Sequence, residues 1–223
     1  MKKIVIGILF SLFTLHAVAQ SYPARNFGFR LGLTAHPTFG MISADEGKSR
    51  GMNLGFAYGL MADFNFAEHY SFNTGATITT INGKSTEINV MPYHEKAIGA
   101  IPVAYDLKYK MQYLEIPMVM KLKTSKVGGL KWFGQFGFTH GFKIRSRQDA
   151  EAANTTLAED RNAADWTRFY RAGLLIGAGG ELDLDEHTSV MAGISFNNGL
   201  STITTSNNGV RNHFVSLNLG VFF

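Results

Sequence analysis

His213-Phe-Val-Ser-Leu-Asn-Leu-Gly-Val-Phe-Phe223 closes the chain, and this stretch decides how the rest is read. At a period of two, His213, Val215, Leu217, Leu219, Val221 and Phe223 share one face. Phe214, Ser216, Asn218, Gly220 and Phe222 share the other, which is small and polar apart from two rings. Alternation of this kind marks a β-strand with two unlike faces.

The same alternation recurs along the whole chain. A first segment runs 27–37, with Phe27, Phe29, Leu31, Leu33 and Ala35 on one face and Gly28, Arg30, Gly32 and Thr34 on the other. The second, 53–66, sets Leu54, Phe56, Tyr58, Leu60, Ala62, Phe64 and Phe66 against Asn53, Gly55, Ala57, Gly59, Met61, Asp63 and Asn65. Further segments follow at 70–81, 109–123, 130–145, 166–182 and 187–199, and the closing segment makes eight. In 109–123, Pro117 lacks a ladder donor and predicts a bulge or local break. The residues before Tyr113 carry their apolar side chains in the opposite phase, which reads as a slip.

The connections alternate in length. Those at 67–69, 124–129 and 183–186 are short, whereas 43–52, 82–108, 146–165 and 200–210 are long and polar. Residues 82–108 start at the turn signal Asn82-Gly83, with a further hairpin expected near 97–105. Short turns at one end, long loops at the other and an even strand count form the pattern of a transmembrane barrel. The expected fold is all-β, an eight-stranded antiparallel up-and-down transmembrane β-barrel. Its strands slightly exceed the 9–11 residues needed to cross a bilayer at about 45°.

Composition agrees with this. The chain is 45% hydrophobic, with 24 Gly and 18 Phe. Beyond the amino terminus it has no apolar run long enough for a membrane helix, which needs about 20 residues. At that terminus, Lys2 and Lys3 precede the apolar stretch Ile4 to Leu15, and Ala17-Val18-Ala19 forms a small-x-small cleavage site. Residues 1–19 therefore read as a signal peptide and 20–223 as the barrel domain, with an uncleaved anchor as the rival reading. Cleavage would remove two of the 21 basic residues and none of the 17 acidic ones, leaving a charge near +2. That balance argues against nucleic acid as a partner. The absence of Cys excludes a lipidated amino terminus and disulfide staples.

The phases also assign an inside and an outside. At least ten glycines point inward: Gly28, Gly32, Gly55, Gly59, Gly75, Gly137, Gly141, Gly173, Gly177 and Gly193. The inward charges are Arg30, Asp63, Glu115, Lys121, Lys131, Lys143, Arg145, Arg171 and Glu181. In so narrow a lumen these must pair, so they read as a structural network. The rings form two expected girdles at the membrane interface. Phe64, Phe66, Tyr70, Phe72, Trp132 and Phe223 lie toward the turns, and Phe56, Tyr58, Trp166, Tyr170 and Phe196 toward the loops.

Three stretches carry a family resemblance. Tyr113-Leu-Glu-Ile-Pro-Met-Val-Met-Lys121 resembles a motif of the PorT-like outer-membrane β-barrel family. Gly173-Leu-Leu-Ile-Gly-Ala-Gly-Gly-Glu-Leu182 is similar to its glycine-rich sixth strand, and Leu217 to Phe223 to its closing strand, whose terminal aromatic belongs to the insertion signal. The resemblance spans nearly all of 20–223. It implies an eight-stranded barrel in the outer membrane of a Gram-negative cell. The implied surroundings are outer-membrane lipid and lipopolysaccharide, with barrel-assembly machinery during insertion. The founding member serves protein secretion, while most members have no assigned role.

Catalytic readings are weaker. His187-Thr188-Ser189 places His and Ser on one strand face, similar to the pair of some outer-membrane lipid A deacylases. A nucleophile needs its base in hydrogen-bond reach and a third group to orient that base. Asp185 and Glu186 are near but sit in a turn. His36, His69, His94, His140 and His213 lack metal-ligand spacing, and Gly177-Ala-Gly-Gly180 precedes no helix pattern. The expectation is a non-catalytic barrel without cofactor or metal, contacting a protein partner through 82–108 and 146–165. A lipid-modifying enzyme, a narrow channel and a soluble carrier with its apolar face inside are the alternatives.

Overall fold

The computed structural model describes residues 28–45, 47–88, 104–152, 155–205 and 209–223. The expected signal peptide, Phe27 and most of the hairpin expected near 97–105 lie outside the described residues. Among the described residues nine strands form: β1 (Phe29–Ser43), β2 (Gly47–Ala67), β3 (Tyr70–Ile88), β4 (Ala104–Lys123), β5 (Leu130–Ala152), β6 (Thr155–Asn162), β7 (Tyr170–Asp183), β8 (Ser189–Gly199) and β9 (Arg211–Phe222).

All pairings are antiparallel, and strands adjacent in sequence pair with one another except β6 and β7. β1 also pairs with β9 (Gly32 opposite Phe222), β4 with β5, and β5 with β7. Eight strands thereby close into a ring, and β6 hangs on the far end of β5 outside it. Closure leaves no open edge in the ring, the condition for a sheet to cross a bilayer.

The outer face is apolar. Leu31, Leu54, Phe56, Leu60, Phe136, Phe138, Ile176, Ile194 and Leu219 are all exposed, while Arg171 and Glu181 are buried inside. A soluble carrier needs the reverse. Close approach explains several inward glycines. A Cβ at Gly59 would overlap the Ala76 carbonyl oxygen, and one at Gly137 the Met118 carbonyl oxygen. At Gly173 it would enter the space of the Asn197 side chain. Gly28 differs, because it lies at the rim with open space beside it.

The strands are longer than the sequence reading allows. β5 runs 23 residues, about twice the 9–11 a bilayer needs. Most of the 43–52 loop is strand, since β1 runs to Ser43 and β2 begins at Gly47. The 146–165 loop becomes the upper part of β5 and its β6 hairpin, and β3 and β4 continue pairing to Ile88 and Ala104. All these additions lie at the loop end.

No slip occurs in β4. Leu107, Tyr109, Met111, Tyr113, Glu115, Val119 and Lys121 all point inward and are buried. The backbone phase is constant, and only the chemistry of the two faces is exchanged above Tyr113. Pro117 produces a gap in the β3 ladder between the Thr74–Met118 and Thr77–Glu115 pairs, with no register shift. The irregularity sits on β5. Gln112 pairs with Arg145 and Tyr113 with Lys143, leaving Ile144 as a bulged residue.

Candidate functional site

The interior divides into three levels. At the turn end, Lys121 is fully buried and bridges Asp63 at 3.2 Å and Glu181 at 3.4 Å. Arg30 spans the same two acids at 3.1 and 2.7 Å, and Lys123 reaches Asp63 at 3.1 Å. Asn73 donates to Asp63 at 2.6 Å. Packed beside the ions is a small apolar cluster of Met61, Phe133, Met191 and Phe222. The Lys121 ammonium stands 4.4 Å from the Phe133 ring centre and 5.1 Å from that of Phe222, and Arg30 lies 4.5 Å from Phe222. Ring faces therefore carry part of the cations' solvation.

At mid-height a second network is built on Arg171. It donates to Glu115 at 2.9 Å, to Asn197 at 2.8 Å, to the Asn212 side chain at 2.6 Å and to the Asn212 carbonyl at 3.2 Å. Asn197 in turn donates to Thr139 at 2.8 Å. Glu115 and Lys121, two alternate positions of the Tyr113–Lys121 motif, thus serve two different networks.

The third level is apolar. Ile42, Ile81, Leu107, Tyr109, Met111, Tyr113, Ala150, Ala158, Ile203, Val210 and Phe214 pack together inside the loop end. Ile203 and Val210 come from the connection between β8 and β9, which folds inward and is closed by the 2.8 Å bond from Ile203 N to Val210 O. Glu87 is buried among them and accepts from Ser85 at 2.6 Å and Tyr109 at 2.9 Å. Outside this level the surface carries Lys84, Lys108, Lys110, Arg147 and Asp149.

Three of the nine charges assigned to the lumen take other places. Arg145 is exposed, because the Ile144 bulge turns both residues outward and brings Ser146 in. Lys143 makes no ion pair among the described residues. Its ammonium caps the carbonyls of Ala164 and Thr167 at 2.6 Å each, fixing the 3-10 turn Ala164–Trp166. Lys131 sits at the turn-end rim beside Asp183, 2.9 Å away, and is one-third exposed. Lys123, which reaches into the lumen from the strand end, was missing from the assignment, and so were the Asn197 and Asn212 acceptors.

Of the rings assigned to girdles, Phe56, Tyr58, Phe64, Phe66, Tyr70, Trp132, Tyr170, Phe196 and Phe223 are exposed on the outer surface, and Phe72 is half-buried. Phe29 and Phe64 pair with ring centres 4.9 Å apart. Trp166 is exposed but stands in the 3-10 turn, not on a strand as the alternation suggested, and its carbonyl accepts from Thr205.

The His187–Ser189 pair is not assembled. His187 is exposed in the turn, where its backbone N–H donates to Asp185 at 2.8 Å. Ser189 is buried, accepts from Arg30 at 3.0 Å and donates to Glu181 at 3.3 Å. Its hydroxyl is a member of the turn-end ion network. Among the described residues no group of three His, Cys, Asp or Glu is placed to hold a metal ion.

A sequence model of the outer membrane protein beta-barrel domain matches residues 18–204. The chain belongs to that family. The barrel is also similar to solved outer-membrane structures. Neisserial surface protein A is 13% identical with a TM-score of 0.43, over 88% of this chain and 99% of that one. Ail, the attachment invasion locus protein of Yersinia pestis, is 13% identical with a TM-score of 0.37, over 87% and 98%. OprG from Pseudomonas aeruginosa is 14% identical with a TM-score of 0.37, over 86% and 91%. No curated protein sequence matches the chain.

Proposed function

We propose that this outer-membrane barrel is non-catalytic and acts by presenting its loop end, a rigid platform beyond the bilayer, to a protein partner. The observation that carries this reading is the exchange of chemistry above Tyr113. Below it, Leu114, Met118 and Leu122 face out and Glu115 and Lys121 face in. Above it, Leu107, Tyr109 and Met111 face in, and Lys108 and Lys110 face out. A wall that is apolar outside suits lipid, and one that is apolar inside suits water on its outer surface. The upper strands therefore form a water-facing extension with its own core. A floppy loop would lose more entropy on binding than this pre-ordered surface does.

The girdle rings fit a membrane interface at each end of the apolar belt. The exposed terminal Phe223 fits a signal read by barrel-assembly machinery. A finer reading places the barrel beside a protein-export or envelope-assembly machine, supported by the resemblance of Tyr113–Lys121 to the PorT-like motif. Against catalysis stands the engagement of Ser189 by Arg30 and Glu181. Against conduction stands a lumen occupied by side chains at all three levels.

The decisive experiment combines extraction with protease shaving. The barrel should require detergent and migrate differently on unheated and heated gels. Protease added to intact cells should cut only in the loop-end segments. Extraction without detergent would end the reading. An altered lipid A profile in cells lacking the gene would favour the enzyme alternative, and steady conductance in planar bilayers the channel.

A further inference from the structure

The rows of side chains running across β3, β4 and β5 on the outer wall change character abruptly. Ile78, Leu114 and Phe142 form one row, extended by Tyr170 on β7. The next three rows toward the loop end are Thr80–Gln112–Arg145, Asn82–Lys110–Arg147 and Lys84–Lys108–Asp149. Successive rows are about 7 Å apart. Five cations thus crowd a patch that starts directly above the apolar belt.

Their acidic partners are too few. Asp149 is shared by Lys110 at 2.9 Å and Lys108 at 4.0 Å. Asp160 of β6 pairs with Arg147 and lies 3.6 Å from Lys110. Lys84 and Arg145 have no ion pair among the described residues. Lys84 stands directly opposite Lys108, and Lys110 opposite Arg147. Like charges directly across a ladder repel and destabilise the sheet. The next row adds Asp106 and Glu151, but Asp106 is already paired with Arg50 at 3.2 Å, so cations still outnumber acids there. Away from the patch, Arg211 is matched by Asp45 at 3.2 Å.

We propose that this patch binds the phosphate groups of an outer-leaflet phosphoglycolipid. This inference rests on the membrane-embedded reading above, since it sets the apolar row against acyl chains and the cations at headgroup height. A lipid with phosphates above its chains matches both halves of the surface. A soluble anion would use only the basic half. The repulsion among Lys84, Lys108, Lys110 and Arg147 is then relieved by a ligand that is always present in the leaflet.

The test uses the full barrel, folded in detergent micelles and followed by native mass spectrometry. It is titrated with diphosphoryl lipid A, with the same lipid stripped of phosphate, and with inorganic phosphate. The diphosphoryl lipid should bind, and the stripped lipid should bind at least about tenfold more weakly, at a few-fold per lost charge contact. A variant carrying K84Q, K108Q, K110Q, R145Q and R147Q should lose at least about tenfold. If that variant misfolds, Lys84→Gln with Arg145→Gln breaks no ion pair with a described residue and should still lose about threefold or more. Arg211→Gln, in a matched pair away from the patch, should bind like the parent. Equal binding of the stripped lipid, equal binding by the patch variants or displacement by millimolar inorganic phosphate would overturn the proposal. A barrel that enters bilayers without retaining lipid A would refute this inference alone. A chain that never enters bilayers would refute the reading beneath it.

Discussion

Replacing Arg171 by Met tests the claim that the lumen charges hold the barrel as a network. The guanidinium is fully buried and makes four polar contacts, at 2.6, 2.8, 2.9 and 3.2 Å. Methionine fills much of the same space but leaves the Glu115 carboxylate, only 5% exposed, without its cation. Stranding one member of a buried ion pair costs about 3–5 kcal/mol. Glu115→Gln is milder, because Arg171 keeps a neutral acceptor and both asparagines, and should cost about 1–3 kcal/mol. With both changes no charge is stranded, so the double variant should cost about 2 kcal/mol less than the sum of the singles. Urea titration of the barrel folded in lipid vesicles, followed by tryptophan fluorescence and unheated gel mobility, measures all four corners of the cycle. An Arg171→Met variant within about 1 kcal/mol of the parent, or two strictly additive substitutions, would refute the reasoning.

Lys121→Met should destabilise by about 3–5 kcal/mol, whereas Lys131→Gln should cost no more than about 1 kcal/mol, since only the first lysine is removed from water; the same titration compares them. Tyr109→Ala opens the upper core and should cost that region about 3–5 kcal/mol. It should show as faster proteolysis of the loop end while the heat-dependent gel shift of the barrel persists. The pH dependence of the extension has a definite sign. Burial alone would raise the Asp149 carboxyl, but the Lys110 ammonium and the Asp160 backbone N–H outweigh it and hold it below the ordinary value of 3.8. A group depressed on folding stabilises above its unfolded pKa and loses that contribution as pH falls through its folded one. Asp149→Asn should therefore weaken protease resistance of the extension at pH 6 and match the parent near pH 3, and a constant difference across that range would count against the pairing.

Legibility varied with how local the controlling physics was. The alternation in 53–66 placed Leu54 to Phe66 outside and Asp63 inside, because successive side chains of any strand point to opposite faces. Six of the nine charges assigned inward, Arg30, Asp63, Glu115, Lys121, Arg171 and Glu181, enter the buried networks for the same reason. The misplacements have nonlocal causes. Arg145 is turned out by a bulge that depends on how β5 pairs with β4. Trp166 is held in a 3-10 turn by the ammonium of Lys143, 23 positions away. Ile203 and Val210 sit in a stretch that looks polar, and only the enclosed upper lumen gives them a place to be buried. The apparent slip before Tyr113 came from assuming that one face keeps one solvent along a whole strand.

By itself the sequence determined that these are strands and which residues share each face, because a two-residue period is a property of extended backbone. Ring closure and height along the axis decided the rest: which charges meet, where the extension hardens into a core and on which side of Tyr113 the greasy face changes sides. A residue's neighbours along the chain set its direction, but the medium it points into belongs to the assembled wall.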